Sequence, residues 1–271
     1  MLSILNSISS LQAENALANT TTALNKNLQQ LSTGLRINSG ADDAAGLSIA
    51  NGLQANIAAI TQSSQNASDG VGMLQTADGA LSQVTTLLDR AVTLATEASN
   101  GGLSATQATA IQTEYTSIQT EIDNIGTSTD FNGTAVFGSA GSVFESDGTT
   151  NSTISDAVAA LSSADLGLTA GGAALTTTAG ATAELALIDT AVSTVAAARG
   201  TIGATVNQLT ASQSVEGAAV TNLTSAEDSI QNADVGQVVA QMTQNSVLEQ
   251  TGMAALSQSN SIQQNVLKLL Q

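Results

Sequence analysis

Residues Ala50–Ala95 read ANGLQANIAAITQSSQNASDGVGMLQTADGALSQVTTLLDRAVTLA, and their spacing decides the fold. Alternate steps of three and four from Ala50 reach Leu53, Ile57, Ile60, Ser64, Ala67, Val71, Leu74, Asp78, Leu81, Thr85, Leu88, Val92 and Ala95, and only Ser64, Asp78 and Thr85 are polar. Apolar residues at this period line one stripe of an α-helix and pack helices at a shallow angle. A second ladder starts at Leu185 and runs through Ile188, Val192, Val195, Arg199, Ile202, Val206, Leu209, Gln213, Glu216, Val220, Leu223, Glu227 and Ile230. At ~1.5 Å per residue each seam is roughly 70 Å long, so two matched helices are expected side by side. Ile111, Tyr115, Ile118, Ile122 and Ile125 predict a third helix. Asn100-Gly101-Gly102 stops the helix before it, and Ser104 or Thr106 is placed to cap it.

Composition narrows the function. The 271 residues include no proline, cysteine, histidine or tryptophan, and the aromatics are one tyrosine and three phenylalanines. Without proline, long helices run unbroken. Without histidine and cysteine there is no Ser-His-Asp triad, thiol nucleophile, disulfide or His/Cys zinc site. No calcium-loop or phosphate-loop spacing appears, so no enzyme and no cofactor is expected. A net charge of −17 disfavours nucleic acid and anionic membranes as partners. No apolar run approaches a membrane span, and the N-terminal MLSILNSISSLQAEN lacks the basic and apolar regions of a secretory signal. Export, if it occurs, is expected by another route.

Residues 126–180 are rich in Gly, Ser, Thr and Asp; FNG reads as a turn, and TAVF, SVFE and NSTISDA as short strands. The fold class expected is therefore mainly α: a long antiparallel coiled-coil-like bundle built from both chain ends, with a small β-rich element in the middle. Residues 1–40 with 232–271 form terminal helices, 41–130 with 181–231 a long-helix domain, and 131–180 a short outer element.

The chain ends are different in kind. Ile4, Ile8 and Leu11 form one stripe, and Leu17, Leu24, Leu28, Leu31 and Leu35 another; Ile262, Val266 and Leu269, with Leu270 beside them, repeat the spacing at the far end. The surrounding residues are mostly Asn, Gln, Ser and Thr. Isolated helices are marginal in water, and these carry narrow apolar faces. They are expected to become helical only against each other and against neighbouring subunits.

Between a terminal helix and the first long seam lies LSTGLRINSGADDAAG, Leu31–Gly46. Asn38-Ser39-Gly40 breaks the helix, Ser39 and Asp42 have capping-box spacing, and Asp42 and Asp43 suit a helix N-terminus. Arg36 is placed to pair with a carboxylate nearby or on another subunit. Asn232 and Asp234 interrupt the pattern near the other end and make a mirror-image joint.

At these residues the sequence resembles bacterial flagellin. The resemblance rests on LSTGLRINSGADDAAGLSIA (31–50), SDGVGMLQTADGAL (68–81), VTNLTSAEDSIQNADV (220–235) and NSIQQNVLKLLQ (260–271). It implies a subunit that polymerises into the helical filament bacteria rotate to swim. The terminal helices, through the leucines and isoleucines named above, would line the inner tube, and the long helices would surround it. It further implies unfolded export through a type III channel without a cleaved signal, an export chaperone on the C-terminal segment, and filament cap and hook-junction proteins as partners. The family's contact with a Toll-like receptor maps onto Arg90, Leu94 and Glu114, although Val92, Thr93 and Ile118 replace polar residues there. The alternatives are a hook-filament junction protein, which often carries proline where Ala44-Ala45 stand here, and a coiled-coil surface adhesin.

Overall fold

A computed structural model describes residues 8–139, 141–146, 151–168 and 174–269. Five long helices dominate: α1 (Ile8–Thr33), α2 (Ala44–Ala98), α3 (Ala105–Ser128), α4 (Thr178–Gln231) and α5 (Val235–Leu269). Between α3 and α4 lie β1 (Asp130–Phe131), β2 (Thr134–Ala135), β3 (Val143–Ser146) and β4 (Asn151–Ile154). These form two antiparallel hairpins, with Asp130 opposite Ala135 and Val143 opposite Ile154. Asn132 and Gly133 both take positive φ at the FNG turn, the conformation a two-residue hairpin demands. Of the expected strand TAVF, Thr134–Ala135 pairs in the first hairpin and Phe137 makes an isolated parallel bridge to Val158.

By internal contacts the chain divides into two units, Met1–Ala55 with Asn222–Gln271, and Asn56–Thr221. The second holds the larger core. Leu74, Leu81 and Leu88 of α2 meet Ile111, Tyr115, Ile118 and Ile122 of α3 and Ile188, Val195, Ile202 and Leu209 of α4. Val136, Val143, Val158, Leu161 and Leu168 close it from the middle segment. Tyr115 is fully buried, and its hydroxyl donates to Glu184 Oε1 of α4 at 2.5 Å. That satisfies the polar end of the chain's sole tyrosine and fastens α3 to α4. Ser104 caps α3 through a complete capping box with Gln107.

The seam on α2 differs from the ladder in one respect. The row Ile60, Ala67, Leu74, Leu81, Leu88 and Ala95 is buried as expected. Its companion row is not Ser64, Val71, Asp78, Thr85 and Val92, which are half-buried, but Ser63, Gly70, Ala77, Val84 and Ala91, one residue earlier. The buried face centres on these smaller side chains because packed partners flank it, with Val71 and Val92 on one side and Met73, Ala80 and Leu87 on the other. Asp78, freed from the centre, takes a two-pronged contact from Arg199, Nε–Oδ1 2.7 Å and Nη2–Oδ2 3.2 Å. On α4 the same shift buries Glu184 and Ala191 in place of Leu185 and Val192.

Threonine is frequent inside these helices without breaking them. Thr20, Thr85 and Thr210, among others, donate their hydroxyls to the carbonyl four residues back. One further correction concerns hydropathy. α4 is long and apolar enough, by length and composition, to cross a membrane. Its buried residues Ala181, Ile188, Ala191, Val195 and Leu209 belong to the core of the second unit.

Candidate functional site

The first unit contains the joint and the two terminal helices. α1 stops at Gly34, whose φ of 75° is the left-handed turn that ends helices, and whose N–H donates to Gln30 O at 2.8 Å. The chain then meets the returning chain. Arg36 N–H donates to Gln231 O at 2.7 Å and Ala233 N–H to Gly34 O at 2.9 Å, making an antiparallel bridge between Leu35 and Asn232.

Each side of the joint starts a new helix on an aspartate. Asp43 Oδ1 accepts from Gly46 N at 2.9 Å ahead of α2, and Asp234 Oδ1 accepts from Gln237 N at 3.2 Å ahead of α5. Both carboxylates face the positive end of a helix. Gly46 permits this on one side, because a Cβ there would lie 2.5 Å from Asp43 Oδ2 and 2.8 Å from Ile37 Cδ1, and Ile37 is only 2% exposed.

The cap of α2 therefore belongs to Asp43, not to the Ser39–Asp42 pair. Asp42 closes the preceding turn instead. Its Oδ2 accepts from the amides of Asn38 and Ser39 at 3.2 and 3.1 Å, while its Oδ1 lies 2.8 Å from Lys26 Nζ. The Lys26 contact, helped by the Asn38 amide, holds the Asp42 carboxyl down at about 2. Asn38 Nδ2 donates to Leu35 O at 2.9 Å. Among the described residues Arg36 meets no carboxylate: its Nη2 donates to Ile230 O at 2.6 Å, near the C-terminus of α4, where backbone carbonyls lack helix partners. The structure thus gathers Arg36, Asn38, Asp42, Asp43, Asn232 and Asp234 into one joint. Lys26, Gly34 and Gly46 were not anticipated there; Gly34, between Leu31 and Leu35, carried a readable helix-stop signal.

α1 and α5 run antiparallel beyond the joint. Leu17 sits against Gly252, and Ser10 Oγ lies 2.8 Å from Ser259 Oγ. The seam between them is mostly small or polar, and among the described residues of this unit few are buried: Asn27, Ile37, Gly46, Ala50 and Val238. Of the expected packing residues, Leu24 and Leu35 are half-buried, while Ile8, Leu11, Leu28, Leu31 and Ile262 are exposed, Ile8 by 72% and Leu11 by 62%. Val235, Val239, Val247, Leu248 and Met253 of α5 are exposed as well. At 100° per residue these point to several sides of α5, far more than one partner helix could cover. Ile4 and Leu270 lie outside the described residues, as do the side chains of Val266 and Leu269, whose backbone is helical.

In the second unit Arg90 Nε meets Glu114 Oε1 at 2.7 Å, half-exposed on both sides. Leu94, expected on the same surface, is buried at 1%. It stands one turn beyond Arg90 but faces inward, among the core residues beside Ala91 and Ala95.

Comparison with known proteins gives consistent matches. Residues 4–141 match the family described as "Bacterial flagellin N-terminal helical region", and residues 185–270 the "Bacterial flagellin C-terminal helical region". A flagellin of Salmonella muenchen is 47% identical over 92 residues, 34% of this chain and 18% of that protein. The B-type flagellin of Pseudomonas aeruginosa is 44% identical over 100 residues, 37% of this chain and 20% of its own. Polar flagellin F of Vibrio parahaemolyticus is 40% identical over 94 residues, 35% and 25% respectively. The matched segments thus span a quarter or less of these relatives' length. A crystal structure of Bacillus cereus flagellin aligns at 29% identity with a TM-score of 0.49, covering 56% of this chain and 88% of that one.

Proposed function

Because the chain belongs to the bacterial flagellin family, we propose that it is a structural subunit that polymerises into the extracellular flagellar filament and serves swimming motility. One observation carries this reading: the terminal helix pair is amphipathic on too many sides to be complete, with Ile8, Leu11, Val247 and Met253 half or more exposed. Exposed apolar area of this kind marks an interaction surface. Copies of the same chain, docked around α1 and α5, bury it at about 25 cal/mol per Å² of apolar area.

In this reading residues 1–40 and 232–271 form the inner tube, 41–130 and 181–231 the layer around it, and 131–180 a small outer element. Ile4, Val266, Leu269 and Leu270 extend the same packing. The joint sets the path by which the terminal pair leaves the long helices. The ends order on assembly, which suits passage through a type III channel with an export chaperone on the C-terminal segment and a cap protein at the growing tip. Hook-junction proteins are the partners at the base. A Toll-like receptor would meet Arg90 and Glu114 but not the buried Leu94.

The test is deletion of Asn260–Gln271. The truncated chain is expected to lose polymerisation while the second unit keeps its helical circular dichroism. Negative-stain microscopy of the intact protein should give long filaments; discrete particles at concentrations that polymerise other flagellins would favour the junction-protein or adhesin readings.

A further inference from the structure

Where β3 lands on the α2–α4 pair, two glutamates are buried together. Glu145 of β3 and Glu216 of α4 are each 6% exposed. Ser63 of α2 donates to Glu216 Oε1 at 2.5 Å and accepts the Ser146 amide at 2.9 Å, so one hydroxyl ties α4, α2 and β3. One helical turn before Glu216, Ser212 donates to Glu145 Oε2 at 2.9 Å. The remaining oxygens, Glu145 Oε1 and Glu216 Oε2, have no hydrogen-bond partner. The strand sits close to the helix here: a Cβ on Gly70 would lie 2.4 Å from Val143 Cγ2.

No described cation balances the pair. Among the described cations, Lys26 meets Asp42, Arg36 the Ile230 carbonyl, Arg90 Glu114 and Arg199 Asp78. The nearest other titratable group on α2 is Asp69, six residues past Ser63; on α4 the next are Glu227 and Arg199, eleven and seventeen residues from Glu216; β4 has none. Asp147 lies outside the described residues. Two ionised carboxylates here would repel, each buried with an oxygen that no described protein group meets.

We propose that Glu216 is the neutral member of this buried pair and acts as a proton-controlled latch, whose ionisation loosens β3 from α2 and α4. Burial first, and the nearby Glu145 as well, push the Glu216 carboxyl above its usual range. A raised value means the latch contributes full stability below the unfolded glutamate value of about 4.3 and loses it as pH rises through the folded one.

Carboxyl-carbon NMR titration of the full chain tests this without any substitution. The Glu216 midpoint should lie above the ordinary glutamate value of about 4.3, and the protection of the Ser146 amide, referenced to its intrinsic exchange rate at each pH, should fall with the same midpoint. A Glu216 midpoint at the ordinary value, or Ser146 exchange that ignores it, overturns the proposal. Glu216→Gln should abolish the pH-dependent loss of protection at Ser146, and Glu145→Gln should move the Glu216 midpoint downward. Wild-type pH dependence at Ser146 in Glu216→Gln would equally overturn it.

Discussion

Gly252 offers the sharpest test of how the terminal pair is held. It faces Leu17 across the α1–α5 seam, and an added Cβ would sit 3.4 Å from Leu17 Cδ1 and 3.9 Å from Leu17 Cβ, ordinary van der Waals distances. Gly252→Ala therefore fits, and removing a mid-helix glycine favours the helix by about 1 kcal/mol. Gly252→Leu adds three more carbons where Leu17 already stands, and overpacking of that kind costs about 1–3 kcal/mol. If α1 and α5 order only on polymerisation, these energies belong to assembly and not to the free subunit. The critical concentration for polymerisation should then fall about fivefold in Gly252→Ala and rise roughly 5- to 150-fold in Gly252→Leu, at 1.4 kcal/mol per factor of ten. The midpoint of thermal unfolding of the free subunit should stay in place in both. Sedimentation of polymer at equilibrium across a concentration series gives the first quantity, and circular dichroism of dilute subunit the second. A Gly252→Leu chain that polymerises at the wild-type critical concentration refutes the close packing of Leu17 on α5. A free subunit whose melting temperature rises in Gly252→Ala refutes the coupling of terminal order to assembly.

Arg36→Ala removes the guanidinium from the Ile230 carbonyl at an exposed helix end, a loss of about 0.3–1 kcal/mol. Amide exchange at Asn232, which donates to Asp228 O in the same turn, should accelerate up to about fivefold, while filament twist in electron micrographs shifts more than subunit melting does. Acid should open the turn that Asp42 closes: its lowered value near 2 means the stabilisation is complete above the unfolded carboxyl value of about 3.9 and is lost as pH falls toward 2. Exchange of the Asn38 and Ser39 amides should report that loss, and Asp42→Asn should show it already at neutral pH. Leu88→Ala, at a fully buried α2 position, should cost about 2–5 kcal/mol and lower the melting temperature by roughly 4–20 °C, whereas the half-buried Leu87 should tolerate alanine better.

Much of this arrangement was readable in the residues themselves. Leu74, Leu81, Leu88, Ile188, Val195 and Ile202 are buried where a period of three and four puts them. The second row of the α2 seam escaped because it is made largely of Gly70, Ala77 and Ala91, whose burial comes from close approach and not from hydrophobic bulk. Periodicity finds large side chains; it is blind to glycine and alanine at a contact. The joint was legible as a break, but the helix ends at Thr33–Gly34, ahead of the Asn38-Ser39-Gly40 that the sequence suggested, and the division of labour between Asp42 and Asp43 depends on Lys26 arriving from another helix. Leu94 was misplaced because carrying a surface over residue by residue ignores the small rotation that turns it inward. The Glu145–Glu216 pair could not be seen at all, since their meeting depends on where a hairpin of four-residue strands settles.

The bridge between Leu35 and Asn232 has a mechanical consequence. Two main-chain bonds, one in each direction, rivet the outgoing strand to the incoming one at the spot where both helices are interrupted. A load that slides one strand past the other has to break both together, so sliding is opposed by more than either bond alone. A load that swings the two as a single lever breaks neither.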